Sequence, residues 1–206
     1  MRILKELIHS YCNVELSSLR TKTLGRNCIF YNEIDSTQKE IWRRIKKNEI
    51  IDGTLIRCEK QTDGVGTHGR KWYTNGENDI AFSFYMELGC NVDKVVGITI
   101  QMAEIIKDII SRLYNVNIEI KLPNDLYVKN KKIGGILTEA KVVGNRVKCL
   151  VVGIGINNSQ TYFAEEIKDI ATSFKKEFNF EIDVEKFLSA FCNSLEDAIK
   201  NRIEGN

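Results

Sequence analysis

Asn124, Asp125 and Lys132 are the residues of this 206-residue chain best placed by their spacing to do chemistry. They follow Pro123, the only proline in the sequence. Proline restricts the preceding residue to extended geometry and offers no N–H to a ladder, so the backbone must turn or leave a sheet there. Asn124 and Asp125 then stand on a rigid corner with side chains free to bond. Lys132 comes seven residues after Asp125, just ahead of Gly134-Gly135, where bare backbone lets another group lie close. A fixed carboxamide, a fixed carboxylate and a cation beside open backbone suit an anionic ligand.

A second cluster runs from Gln61 through Gly64, Gly66 and Gly69 to Arg70, Lys71 and Trp72. Three glycines in six residues suit neither helix nor regular strand. The segment reads as a mobile loop whose backbone N–H groups could wrap an anion, a phosphate above all. An ordinary surface connection is the plainer alternative. The G-x-G-x-x-G spacing does not decide it, because no helix follows and no G-K-[ST] is present. Gly153 and Gly155 close an apolar run, VKCLVVGIGIN, that ends at Asn157. Eight of the fourteen glycines fall at 64–76, 134–135 and 153–155, each beside polar or charged residues. That clustering points to a ligand cleft where strand ends converge near Arg70, Asn124, Lys132 and Asn157.

The elements that must hold these residues follow from local pattern. Residues 1–28 read as a lead-in, with a short helix carrying Ile3, Leu4, Leu7 and Ile8 and a surface His9. Ile29–Tyr31 is a strand, and Asp35 or Ser36 caps a helix to about Lys47. Taken alone, Ser36-Thr37 is a cap and nothing more. Thr54–Glu59 and the alternating Ile80–Leu88 are strands, with an Asn75-Gly76 turn between. The longest helix is expected from Asp93 to about Tyr114, with an apolar stripe from Val95 to Leu113. Ile118–Lys121 is a strand ending at the proline corner. Leu126–Glu139 is a hairpin around Lys129-Asn130-Lys131, and Gly144-Asn145 turns into a central strand, Val147–Ile156. A terminal helix is expected from Val184 to about Ile199.

Bulk composition sets limits. At 43% hydrophobic and 28% charged, the chain is that of a soluble globular protein with one core. A net charge of +2 gives no field for nucleic acid or a membrane surface, and no apolar run is long enough to span a bilayer. Six cysteines (Cys12, Cys28, Cys58, Cys90, Cys149, Cys192) are scattered without a C-x-x-C pair. With no signal peptide, this favours a reduced, cytoplasmic protein. Two histidines exclude a histidine-rich metal site.

The ordered set Asp35-Ser36-Thr37, Gln61-x-x-Gly64-x-Gly66-x-x-Gly69-Arg70-x-Trp72, Lys121-x-Pro123-Asn124-Asp125, Lys132-Ile133-Gly134-Gly135-Ile136-Leu137-x-Glu139 and Gly153-Ile154-Gly155-Ile156-Asn157 resembles the catalytic domain of biotin–protein ligases. The resemblance spans residues 29 to about 175. It implies an α+β fold, a mixed and largely antiparallel sheet with helices on one face, akin to class II synthetases. It also implies a two-step reaction with ATP and Mg²⁺. Biotin is activated to biotinyl-5′-AMP and then passed to a lysine of a biotin carboxyl carrier domain.

On that resemblance Lys132 lies between the biotin carboxylate and the α-phosphate, and Arg70 closes over the adenylate beside Trp72. Asn124 and Asn157 bind the nucleotide or its Mg²⁺, with no metal fixed by protein alone. Asp125 orients or deprotonates the incoming lysine. The biotin head is bonded by Ser36, Thr37, Gln38 and Gln61. Its tail lies along Gly64, Val65, Gly66, Thr67, Gly135 and Leu137, over Gly153 and Gly155. The sequence departs from the family at Val65, Thr67 and His68, where arginines are usual, and at Leu122, where tryptophan is usual. A single catalytic domain over 1–206 is expected, with neither a DNA-binding winged helix nor a C-terminal barrel. Homodimerisation is left open. The alternatives are a lipoyl or octanoyl transferase of the same fold and a biotin-binding remnant without turnover.

Overall fold

A computed structural model describes residues 11–13, 15–74 and 78–204. The expected helix of Ile3–Ile8, His9 and the Asn75-Gly76 turn lie outside the described residues. In chain order the elements begin with β1 (Tyr11–Asn13), β2 (Cys28–Ile34), α1 (Thr37–Lys47), β3 (Leu55–Gln61), β4 (Gly64–Val65) and β5 (Lys71–Trp72). There follow β6 (Ile80–Asn91), α2 (Ile98–Tyr114), β7 (Glu119–Lys121) and β8 (Asp125–Val128). The chain closes with β9 (Lys131–Val143), β10 (Arg146–Ile156), α3 (Phe174–Phe178) and α4 (Val184–Glu204).

Eight strands form one sheet in the order β1-β2-β3-β6-β10-β9-β8-β7. Among the described strands only β2 and β3 pair in parallel, with Ile34 opposite Gln61. Parallel neighbours need a crossover rather than a hairpin, and α1 supplies it. The Ser36 hydroxyl caps α1 by accepting from Lys39 N at 3.4 Å. Glu40 in the first turn and Arg44, Lys46 and Lys47 in the last complement the helix dipole. The antiparallel hairpins close as the sequence indicates. Lys129 (φ 47°) and Asn130 (φ 65°) are both left-handed, the geometry of a two-residue turn that matches strand twist.

β10 has both edges paired, to β6 and β9, and helices pack against both its faces, which explains its unbroken apolar run. On one face, Phe82 and Phe84 of β6 and Val152 of β10 pack with Met102 and Ile106 of α2 and Phe187 and Phe191 of α4. The Phe82 and Phe191 rings meet edge-on at 5.6 Å. Truncating either to alanine should cost about 3–5 kcal/mol. On the other face Ile41 of α1 joins Ile29, Tyr31, Ile56, Tyr85 and Val151. The expected mixed, largely antiparallel α+β fold is present. The two long helices share one face, while α1 covers part of the other.

Three element expectations need correction. The helix expected from Asp93 starts at Ile98, because a 3-10 turn occupies Val92–Val95 and Gly97 adopts φ 77° as the N-cap residue. At 17 residues it is shorter than α4, which has 21 and runs past Ile199. The glycine loop is not wholly irregular: β4 and β5 pair as a small antiparallel ribbon around a 3-10 turn at Thr67–Gly69. No helix among the described residues is long and apolar enough to cross a membrane.

Candidate functional site

Cross-strand register builds the floor of a cleft. Asp125 pairs with Gly135, which pairs with Gly155, which pairs with Ala81. One step along, Leu137, Gly153 and Ser83 form a second row. Alternation of side chains puts both rows on the α1 face of the sheet, beyond the N-terminus of that helix. Three of these positions are glycine, so the floor is bare where other strands would carry side chains. The resulting cleft measures ≈ 430 Å³ with its mouth included, within the usual range for small-molecule sites.

Polar groups gather at its inner end. The parallel β2–β3 pairing brings the start of α1 beside the end of β3, so Thr37 N donates to Gln61 Oε1 at 3.0 Å. The Thr37 hydroxyl lies 3.3 Å from the same oxygen and 2.8 Å from Ser83 Oγ. Gln38 is only 3% exposed; its Nε2 donates to Glu139 Oε2 at 2.8 Å and to Val151 O at 3.2 Å. Its Oε1 is buried with no partner. A Cβ on Gly153 would stand 2.8 Å from that oxygen and 3.2 Å from Ser83 Oγ, so glycine keeps the inner end open. A buried carboxamide oxygen without a donor is costly, which marks this point as one that a ligand N–H completes.

Val65, Gly66 and Thr67 roof the cleft, and Leu137 lines it. Trp72 lies directly on Gly155, where an added Cβ would come within 2.2 Å of the ring. Gly64 is not a lining residue. An added Cβ there would meet Trp72 O at 2.4 Å, so it permits the close β4–β5 approach. Ser36 is likewise outside the lining, 0% exposed, with its hydroxyl spent on the helix cap. Asn124 faces this first cleft, its Nδ2 donating to Ile136 O at 3.1 Å.

A second cavity of ≈ 790 Å³ lies on the far side of Trp72. Gly66, Thr67, Trp72 and Lys132 form the wall common to both. Arg70 lines only the second cavity; its guanidinium donates to Thr67 O at 3.3 Å and to Thr67 Oγ1 at 3.1 Å. Across the mouth the Tyr73 hydroxyl donates to Glu166 Oε1 at 2.6 Å. The hydrogen bond to Glu166 raises the Tyr73 hydroxyl above its ordinary range and lowers the Glu166 carboxyl. Asn157 has both amide ends engaged, donating to Thr172 O at 2.9 Å and accepting from Gln160 Nε2 at 2.7 Å. Gln160 Oε1 is left buried and unpartnered beside this cavity.

Lys132 joins the two spaces. Its Nζ donates to Asp125 Oδ1 at 2.6 Å and lies 5.9 Å from the Trp72 ring centroid. The two side chains are 25% and 18% exposed, enough to solvate a paired charge without leaving it to bulk water. The backbone of Lys132 is tied on both sides, its N–H to Ile170 O at 2.8 Å and its carbonyl to Thr172 N at 2.9 Å. Among the described residues no three His, Cys, Asp or Glu side chains cluster in a way that could hold a metal ion.

Residues 30–157 match the model of the biotin/lipoate A/B protein ligase family. The chain belongs to that family. A relative within the biotin/lipoate ligases, the bifunctional ligase/repressor BirA of Bacillus subtilis, is 33% identical over 167 residues, which cover 80% of this chain and 51% of the relative. The biotin–[acetyl-CoA-carboxylase] ligase of Mycobacterium tuberculosis is 28% identical over 76% of this chain and 59% of its own. The chain thus spans about half to three-fifths of the length of these two curated relatives. Among solved structures, a biotin protein ligase from Aquifex aeolicus in complex with biotin and ATP superposes with a TM-score of 0.72. Its identity is 28%, over 90% of this chain and 74% of that one.

Of the residues that the family resemblance singles out, Ser36 and Gly64 lie outside both linings and serve the scaffold, and Asn124 opens on the first cleft. Ser83 and Gln160 were missed. Ser83 had a signal: it is the polar interruption in the apolar strand Ile80–Leu88.

Proposed function

We propose that the two cavities serve a biotin–protein ligase reaction: the first holds biotin, the second ATP, and Lys132 meets both at the common wall. The observation that carries this is the position of its ammonium, fixed by Asp125 and lining both spaces at once. A carboxylate and a triphosphate repel each other, and a cation held between them lowers that barrier. The unpartnered Gln38 Oε1 suits a ureido N–H at the closed end of the first cleft, and the unpartnered Gln160 Oε1 suits an exocyclic amino group of the base.

In the first step a biotin carboxylate oxygen bonds to the α-phosphorus and pyrophosphate leaves, giving biotinyl-5′-AMP. In the second, the amine of a carrier lysine bonds to the acyl carbon, AMP leaves with the bonding pair, and the amine gives up a proton. Asp125, beside Lys132, is assigned to accept that proton. Arg70 and the ribbon of β4 and β5 close over the anhydride and limit hydrolysis. The residues present do not cage a metal, so Mg²⁺ enters on the triphosphate and no step is assigned to it. A lipoyl or octanoyl substrate would leave Gln38 Oε1 without a donor, so the polar inner end favours biotin.

The test mixes the purified chain, biotin, Mg-ATP and a biotin carboxyl carrier domain, and looks for the added biotin mass on the carrier. Turnover is expected, with a loss of at least about 100-fold in Lys132→Ala. Undiminished transfer by that variant would remove Lys132 from the mechanism.

A further inference from the structure

We propose that Glu139, behind Gln38 at the inner end of the first cleft, is a positioning residue that fixes this end as an all-acceptor surface, so that a ligand with adjacent N–H donors is matched there. The proposed match of that ligand to a cyclic urea rests on the biotin reading.

Glu139 is exposed, yet its Oε2 accepts from Trp42 Nε1 at 2.6 Å and from Gln38 Nε2 at 2.8 Å. An ionised carboxylate accepts and cannot donate. Gln38 therefore turns its amino group toward Glu139 and Val151 O, which leaves only its carbonyl oxygen for the cleft. Trp42, one turn along α1, anchors the carboxylate from the other side and keeps it at that distance.

Ser83 carries the same polarity independently. Gln61 Oε1 already receives Thr37 N, so the Thr37 hydroxyl, 3.3 Å away, donates to it as well. The contact of 2.8 Å between Thr37 Oγ1 and Ser83 Oγ then takes its proton from Ser83. Ser83 is left with lone pairs only. Its oxygen and Gln38 Oε1 lie 3.2 and 2.8 Å from the one point above Gly153. Two acceptors converge on a space with no side chain; a pair of N–H groups satisfies both, whereas a hydroxyl satisfies one and an alkyl end neither.

Equilibrium binding by calorimetry, with biotin and with biotin methylated on a ureido nitrogen as probes, tests this on the full chain. Wild type is expected to prefer the unmethylated probe. Glu139→Gln keeps an acceptor oxygen toward Trp42 and Gln38 and should retain biotin affinity within about twofold. Glu139→Lys can only donate; it should turn the Gln38 carboxamide over and weaken biotin about tenfold, while the methylated probe changes little. Glu139→Leu serves as a second variant with an intermediate loss, and melting curves confirm that each variant folds. If wild type binds biotin and Glu139→Lys binds it equally well, the polarity proposal fails while the ligand assignment stands. Equal weakening of both probes would reduce Glu139 to a prop and also overturns it. A wild-type chain that binds no biotin overturns the ligand assignment, and with it the proposed match to a cyclic urea.

Discussion

Replacing Gly155 by alanine tests whether Trp72 is the working partition between the two cavities. The new methyl carbon would stand 2.2–2.5 Å from three atoms of the indole. Carbon contacts normally settle at about 3.5–4.0 Å, so the ring must retreat by roughly 1–1.5 Å. β10 is fixed by partners on both sides and cannot give way, so the movement falls on Trp72 and β5. Overpacking of this kind costs about 1–3 kcal/mol, which leaves a folded protein. The functional loss should be larger in relative terms, because a misplacement near 1 Å at reacting groups can cost about 100-fold. The assay is urea denaturation beside steady-state transfer of biotin to the carrier domain, for Gly155→Ala, Trp72→Leu and the double variant. The expected result is a fall in kcat/KM of about 100-fold, and a stability coupling of at least about 1 kcal/mol between the two sites. Additive stability effects together with transfer within threefold of wild type would show that the ring has room to spare, and the reasoning would be wrong.

Other outcomes are expected from single groups. Burial pushes the Glu196 carboxyl up, but hydrogen bonds from Leu24, Lys22 and Thr23 outweigh it and hold the group below the ordinary glutamate range. Its contribution is therefore present above the unfolded value of about 4.3 and lost as pH falls further. Glu196→Gln should cost about 1 kcal/mol at pH 7, with acid melting curves that converge on wild type below pH 4. Burial pushes the Cys58 thiol up to about 12, so native protein at pH 8 should alkylate there about 1000-fold more slowly than denatured protein, as followed by peptide mass mapping. Tyr73→Phe removes the exposed bond to Glu166 across the second cavity; it should leave stability within about 0.5 kcal/mol and speed adenylate release a few-fold in a rapid-dilution assay.

How much of this was legible depended on how local the signal was. The Ser36 cap, the left-handed Lys129-Asn130 turn and the doubly covered β10 are each decided by a few adjacent residues, and the sequence displays them. α2 was overrun because Val92 and Val95 continue its apolar spacing through a 3-10 turn, and only Gly97 marks the break. α3 has five residues, too few for any period to emerge. In the site, Lys132 and the glycine pairs were readable because their neighbours in the chain are also their neighbours in space. Which cavity Asn124 faces is determined by register, not spacing, and the sequence does not display it. The orphan oxygens of Gln38 and Gln160 arise from contacts such as that of Gln38 with Glu139, 101 positions apart, which no local pattern encodes.

The single parallel pair in the sheet has a design consequence. Because β2 and β3 run the same way, the chain leaves both strands at one end of the molecule, and Thr37 and Gln61 become neighbours there. Had β3 run opposite, its seven residues would have carried Gln61 some 20 Å away, at about 3.3 Å per residue. Lengthening the return from Asn48 to Thr54 should therefore be tolerated by the ligand's inner seat, whereas a one-residue slip of β3 would turn Gln61 to the opposite side of the sheet and dismantle it.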